Sequence, residues 1–209
     1  MQSSRKLWTW LAIICVLSFA ALGWVGKEIY LKAPPIPKEI NNTRGELLFT
    51  GEQIQQGQQA WLSAGGQQLG TVWGHGSYVA PDWSADWLHR EALELRALWA
   101  RRDFGRAYEQ LSAGQKGQVD SEVKDEMRRN AYDAQTGVLS LSDGRAEAVR
   151  NVARHYAGLF GDDAALDKLR EQYAMNAGSL PRAEDRQALA AFFFWSAWAA
   201  ATDLPEKPA

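Results

Sequence analysis

Apolar residues fall in three regimes along this chain. From Leu7 to Gly26 (LWTWLAIICVLSFAALGWVG) no charged residue interrupts twenty positions. At 1.5 Å per residue a helix of that length is about 30 Å long, the hydrocarbon thickness of a bilayer. Trp8 and Trp10 stand near one end and Trp24 and Tyr30 near the other, as interfacial aromatics do. In the middle of the chain apolar residues return at helical spacing between polar runs. Near the other end, Leu189 to Ala201 (LAAFFFWSAWAAA) is apolar on every side but only 13 residues long. That is about 20 Å, too short to cross a bilayer, and it predicts a buried helix or one packed against a membrane partner.

Local signals place the elements between. Ala33-Pro34-Pro35-Ile36-Pro37 reads as a stiff, extended exit, Asn41-Asn42-Thr43 as a polar loop and Glu46–Phe49 as a short strand. Thr50-Gly51-Glu52-Gln53 is a capping box that predicts a helix to about Ala64, with Ile54, Gly57 and Trp61 on one face. Gly57 costs about 1 kcal/mol there relative to Ala, which close approach of a second helix would offset. Asp82 or Ser84 caps a helix over about 85–102, striped by Leu88, Ala92, Leu95 and Trp99 with Trp87 and Leu98 beside it. Asp86 and Arg90 read as a solvated i, i+4 pair on its opposite side. Residues 104–130 predict two further helices, the charges from Asp120 to Glu126 forming a solvated face. Ala134–Gly137 predicts a turn before a short strand or hairpin at Val138–Leu141. Ser142 or Asp143 opens a helix striped by Ala146, Val149, Val152, Ala153, Tyr156 and Leu159, and a short helix follows over 162–173. Pro181 begins the last helix.

Charge and cysteine content narrow the chemistry. A net charge of −2 with a pI near 6.0 gives no basic signal for nucleic acid. Cys15, inside the apolar N-terminal run, is the single cysteine, so an intrachain disulfide and a thiolate metal site in the remainder are both excluded. Arg5 and Lys6 ahead of the apolar run place the N-terminus in the cytoplasm, though Lys27 and Lys32 behind it make the asymmetry modest. The rival to an anchor is a cleaved signal peptide, for which Ser18-Phe19-Ala20 is an acceptable site. On either reading the remainder is exported. His75, His89 and His155 show no i, i+3 or i+4 spacing, and neither a G-x-S-x-G elbow nor a phosphate-cradling glycine loop is present. The expected organisation is a cytoplasmic tip and transmembrane anchor over 1–32, a linker over 33–45, an extracytoplasmic domain over 46–204 and a tail over 205–209.

Gln58 to Arg90 (QQAWLSAGGQQLGTVWGHGSYVAPDWSADWLHR) is the most informative stretch. Five glycines lie between Gly65 and Gly76, followed by Tyr78, Pro81, Trp83 and Trp87, with Trp73 among them. Glycines interleaved with large aromatics predict an ordered loop and not a flexible linker. The run Gly74-His75-Gly76-Ser77-Tyr78-Val79-Ala80-Pro81-Asp82-Trp83, continued to Glu91, resembles the N-terminal region of quinol-dependent nitric oxide reductases. It is also similar to the cytochrome c subunit of the cytochrome-dependent enzymes, where a C-x-x-C-H haem motif precedes a Gly-x-Gly-x-Tyr-x-Ala-Pro segment. Laid on this chain, that motif falls on Gly66-Gln67-Gln68-Leu69-Gly70. Both thiol positions lack sulfur and the ligand position lacks an imidazole, so no c-type haem can be attached.

The resemblance implies a mainly α fold: one N-terminal transmembrane helix plus a cytochrome c-like helical domain lacking haem. It further implies the extracytoplasmic cap of an enzyme reducing nitric oxide to nitrous oxide with quinol electrons in the bacterial inner membrane. That enzyme's haem b and non-haem iron would lie on helices this chain lacks, so the chain alone is expected to be inactive, to hold no cofactor itself and to pack on a catalytic multi-helix region. Gly76 and Tyr78 match positions that offer oxygens to a Ca²⁺ shared with the catalytic subunit. Two such oxygens cannot hold a cation that takes six or more, so the expected site is a bridging one. The alternatives are a stand-alone membrane-anchored docking module and an exported small-molecule binder.

Overall fold

The computed structural model describes residues 2–203 and is dominated by helices. The chain divides into two compact units. One contains helix α1 (Gln2–Lys32), and the other runs from Ile36 onward. In α1 the segment Ser4–Tyr30 is long and apolar enough to cross a membrane, and no residue of its most apolar window is buried. The expected span of Leu7–Gly26 lies inside it.

The second unit begins with a small sheet. Strands β1 (Glu39–Asn42), β2 (Leu47–Thr50), β3 (Tyr132–Asp133) and β4 (Val138–Leu141) lie in the order β2-β1-β4-β3. β2 and β3 pair antiparallel with their neighbours, whereas β1 and β4 run parallel, with Ile40 opposite Leu139. This corrects two expectations. The stretch 33–45 is not a linker throughout, because β1 occupies its second half. Asn41 and Asn42 are strand residues, and buried Asn42 accepts the Arg44 and Glu46 amides on Oδ1 to close the β1–β2 turn.

Six helices complete the unit: α2 (Gly51–Ser63), α3 (Trp83–Phe104), α4 (Ala113–Arg128), α5 (Asp143–Leu159), α6 (Asp167–Gln172) and α7 (Ala183–Ala201). Side chains of Thr50, Asp82, Ser112 and Ser142 cap α2, α3, α4 and α5 by accepting backbone amides, and the capping box at Thr50–Gln53 forms as its sequence predicts. Where two helices were expected over 104–130, a single turn of 3₁₀ helix at Tyr108–Gln110 precedes α4. Pro181 lies ahead of α7 and does not begin it; Arg182 is its N-cap. The expected tail at 205–209 lies outside the described residues.

α7 is the axis of the core. Every residue from Ala188 to Trp198 is buried, because α2, α3 and α5 all pack on it. At the α2–α7 crossing a Cβ on Gly57 would stand 2.0 Å from the Ala188 carbonyl oxygen, so only glycine permits this approach. The second core cluster, with Leu95, Trp99, Val119 and Val123, lies between α3 and α4.

Candidate functional site

The loop joining α2 to α3 is held by one carboxylate. Asp82 caps α3 by accepting the Ala85 amide on Oδ1 at 3.0 Å, while Oδ2 accepts the Thr71 hydroxyl at 2.8 Å and the Gly74 amide at 2.6 Å. The Thr71 hydroxyl in turn accepts the Gly76 amide at 2.9 Å. Gly65, Gly66, Gly70 and Gly76 all adopt positive φ, which their lack of a Cβ permits. The loop is therefore ordered, as expected from its composition.

Trp73 shares that conformation at φ 55° without being glycine, a position that costs about 1–3 kcal/mol unless surrounding structure holds it. Three contacts do so. Its indole Nε1 donates to the Ser196 carbonyl on α7 at 2.8 Å, and its amide donates to Ser84 Oγ at 3.3 Å. Its ring lies against Trp195, with centroids 5.2 Å apart. Trp73 thereby walls a shallow groove of about 200 Å³ floored by Ile54, Trp61 and Phe192, with Gln55 and Gln58 at the rim. Beyond it Tyr78 is wholly exposed and Val79 half exposed.

The segment corresponding to the haem motif follows α2 directly, with a 3₁₀ turn at Gly66–Gln68. It sits beside the α2–α7 crossing, since Trp61 Nε1 of α2 donates to the Gly70 carbonyl at 3.3 Å. A Cβ on Gly70 would stand 2.4 Å from Trp83 Nε1 and 2.6 Å from Cε2. The space into which a side chain at position 70 would project is already filled by the Trp83 indole. That indole stacks on Phe193 at 5.5 Å and 15°, with Tyr156, Phe160 and Tyr173 edge-on around it.

A family model for the cytochrome c-like domain of the NorB chain of nitric oxide reductase matches residues 37–209. The chain belongs to this family. No curated protein matches it. A cytochrome c-like domain implies a haem, and the residues of this nitric oxide reductase domain do not fit one. Positions 66 and 69 offer no thiol, position 70 no imidazole, and Trp83 occupies the room a ligand there would need.

Among the described residues no three His, Cys, Asp or Glu side chains cluster as a metal site. His75 and His89 are exposed, while His155 is half-buried on α5 with Nε2 lacking a partner. In the reductase-family loop Tyr78 is exposed and Gly76 partly buried, and Asp82, the nearest carboxylate in sequence, is spent on holding the loop closed.

Two polar arrangements in the domain escaped sequence reasoning. Asp86 and Arg90 are paired at 2.7 Å as expected, yet they are not a solvated pair: both are largely buried, and Asp86 also accepts the Tyr156 hydroxyl at 2.6 Å. Glu91 is fully buried and paired with Arg145 of α5, whereas Leu88 and Ala92 of the expected stripe are only partly buried. The one sequence signal was a carboxylate flanked by apolar positions within the helical repeat, which does not reveal its partner. Burial pushes the Tyr156 hydroxyl well above its ordinary range, with Asp86 adding to the shift.

Proposed function

We propose that this domain is the haem-free extracytoplasmic cap of a nitric oxide reductase that draws its electrons from membrane quinol, held to the bacterial inner membrane by α1. The observation that carries the reading is the fit of Trp83 against Gly70, which leaves no place for the haem through which a soluble cytochrome would deliver electrons. The reductase then has to be fed from within the membrane. Reduction of two nitric oxide molecules to nitrous oxide would take place on haem b and non-haem iron in a multi-helix region; among the described residues only α1 is long and apolar enough to span a membrane. Positive residues ahead of α1 favour a cytoplasmic N-terminus and an exported domain.

On this reading the cap works by packing and exclusion of water. The loop from Thr71 to Ala80, with Tyr78 wholly exposed, is the surface proposed to meet the catalytic region. Gly76 and Tyr78 would contribute oxygens to a Ca²⁺ whose remaining ligands come from that region, because a hard cation needs more oxygens than two residues supply.

The test is donor specificity of the assembled reductase in proteoliposomes. Quinol is expected to sustain nitric oxide consumption and reduced soluble cytochrome c is not. Turnover with reduced cytochrome c, or a Soret band that stays with this chain on denaturation, would overturn the proposal.

A further inference from the structure

Four oxidisable rings run in contact from the surface to the middle of the domain. Half-exposed Tyr173 lies edge-on to Trp83 at 5.9 Å, Trp83 lies edge-on to Tyr156 at 6.0 Å, and Tyr156 is stacked on Trp87 at 5.2 Å and 3°. Ring contacts alone are ordinary core packing. Their proton partners make this set different. The Tyr156 hydroxyl, sealed from solvent, donates to Asp86 Oδ2 at 2.6 Å. A phenylalanine would pack as well without burying a phenol and holding a carboxylate against it. Trp83 Nε1 is buried and has no acceptor. An electron taken from Trp83 therefore leaves a cation with no base to receive its proton, whereas Tyr156 has a base already in hydrogen-bond contact.

We infer that Tyr156 is a redox-active tyrosine, reached through Trp83 from the Tyr173 surface, with Asp86 as its proton acceptor. A one-electron oxidant at that surface, of the inorganic nitrogen-oxide radical class such as nitrogen dioxide, takes one electron from Trp83 and becomes its anion, nitrite. Tyr156 refills Trp83 with one electron, its O–H bond breaks, and the proton passes to the Asp86 carboxylate, whose Oδ2 also accepts Arg90 Nε at 2.7 Å. The net change is oxidant plus phenol plus carboxylate to reduced anion plus phenoxyl radical plus carboxylic acid. A one-electron reductant reverses it as the proton returns. The domain thereby holds an oxidising equivalent on a protected ring and off exposed side chains. This role goes beyond the cap reading; only the choice of a nitrogen-oxide oxidant rests on the reductase reading.

The full chain in lipid nanodiscs, oxidised by flash-quench with ruthenium(III) tris-bipyridine and frozen for high-field EPR, tests it. The expected signal is a phenoxyl radical that narrows on ring-deuterated tyrosine labelling and shows the g-shift of a hydrogen-bonded oxygen. It is lost in Y156F, persists in Y78F, and falls several-fold with an altered g-shift in D86N. The g-shift is read on the unaltered protein, so the result does not rest on how Y156F folds. A phenoxyl signal without that g-shift, a signal lost in Y78F, a signal surviving in Y156F, or an indolyl radical on Trp87 would each overturn the assignment.

Discussion

Arg145 on α5 donates from Nε to Glu91 Oε1 on α3 at 2.7 Å, and both side chains are closed off from water. Glu91 Oε2 also accepts Trp87 Nε1 at 2.9 Å, and Arg145 Nη1 donates to the Glu126 carbonyl at 3.0 Å, tying α3, α4 and α5 together. Arg145 Nη2 remains buried without a partner. Two ions brought out of water in this way locate the helices relative to one another and contribute little net stability.

Removing one member alone leaves the other charge stranded. R145M is expected to cost about 3–5 kcal/mol in chemical denaturation, and the paired variant E91L/R145M to recover most of that loss. If the pair variant were no more stable than R145M, the ion pair would be stabilising in its own right.

The Gly70–Trp83 contact predicts strong coupling. G70A meets the indole and takes a backbone at φ 135° that alanine resists, at an expected cost of about 1–3 kcal/mol or more. In a W83L background the indole's share of that penalty should disappear while the clash with the Pro81 carbonyl 2.8 Å away remains, giving a clear interaction energy in the double-mutant cycle. For the same reason, restoring the motif as G66C/L69C/G70H is expected to give no covalent haem in a host that matures c-type cytochromes, measured by absorbance of the denatured protein.

Glycine in α2 and glycine in α4 should respond oppositely to alanine. G57A drives a methyl into the Ala188 backbone and is expected to destabilise by roughly 3 kcal/mol, at the upper end of overpacking. Gly117, exposed within α4 with nothing near its missing Cβ, gains helix propensity, and G117A should stabilise by about 1 kcal/mol. Thermal unfolding of the two variants side by side reads the difference.

His155 should make stability fall in mild acid. Burial, and then the Arg90 cation, hold its imidazolium form down to about 4 from an ordinary value near 6.5, with Asp86 opposing. The unfolded chain binds the proton first, so this contribution is complete above the unfolded value and is lost as pH falls from 6.5 toward 4. The ring is only half-buried and solvent screens it, so the loss should amount to about 1 kcal/mol. H155Q should flatten the stability profile in that window; an unchanged slope would assign it to the carboxylates.

Much of this architecture is legible without coordinates wherever the cause is local. The Thr50–Gln53 box, the Asp82 cap, the apolar run of α1 and the all-round apolar surface of α7 depend on neighbours within a few residues. Gly57 announced a helix crossing because a glycine at a buried helical position has few other uses. The missing cysteines and histidine at 66, 69 and 70 were equally plain.

Other features depend on groups brought from far along the chain. The parallel pairing of β1 with β4 joins residue 40 to residue 139 and turned part of an expected linker into sheet. Asp86 read as a solvated ion because nothing nearby in sequence shows that Tyr156, seventy positions on, covers it. Nothing near Glu91 in sequence shows that α5 delivers Arg145 to it. Residue order alone determined where most of the helices lie and that positions 66, 69 and 70 carry neither thiol nor imidazole, since both follow from side-chain identity and short-range periodicity. Which carboxylates are buried, and that Trp83 fills the space beside Gly70, was decided only when α3, α5 and α7 packed, because burial is a property of the assembled faces.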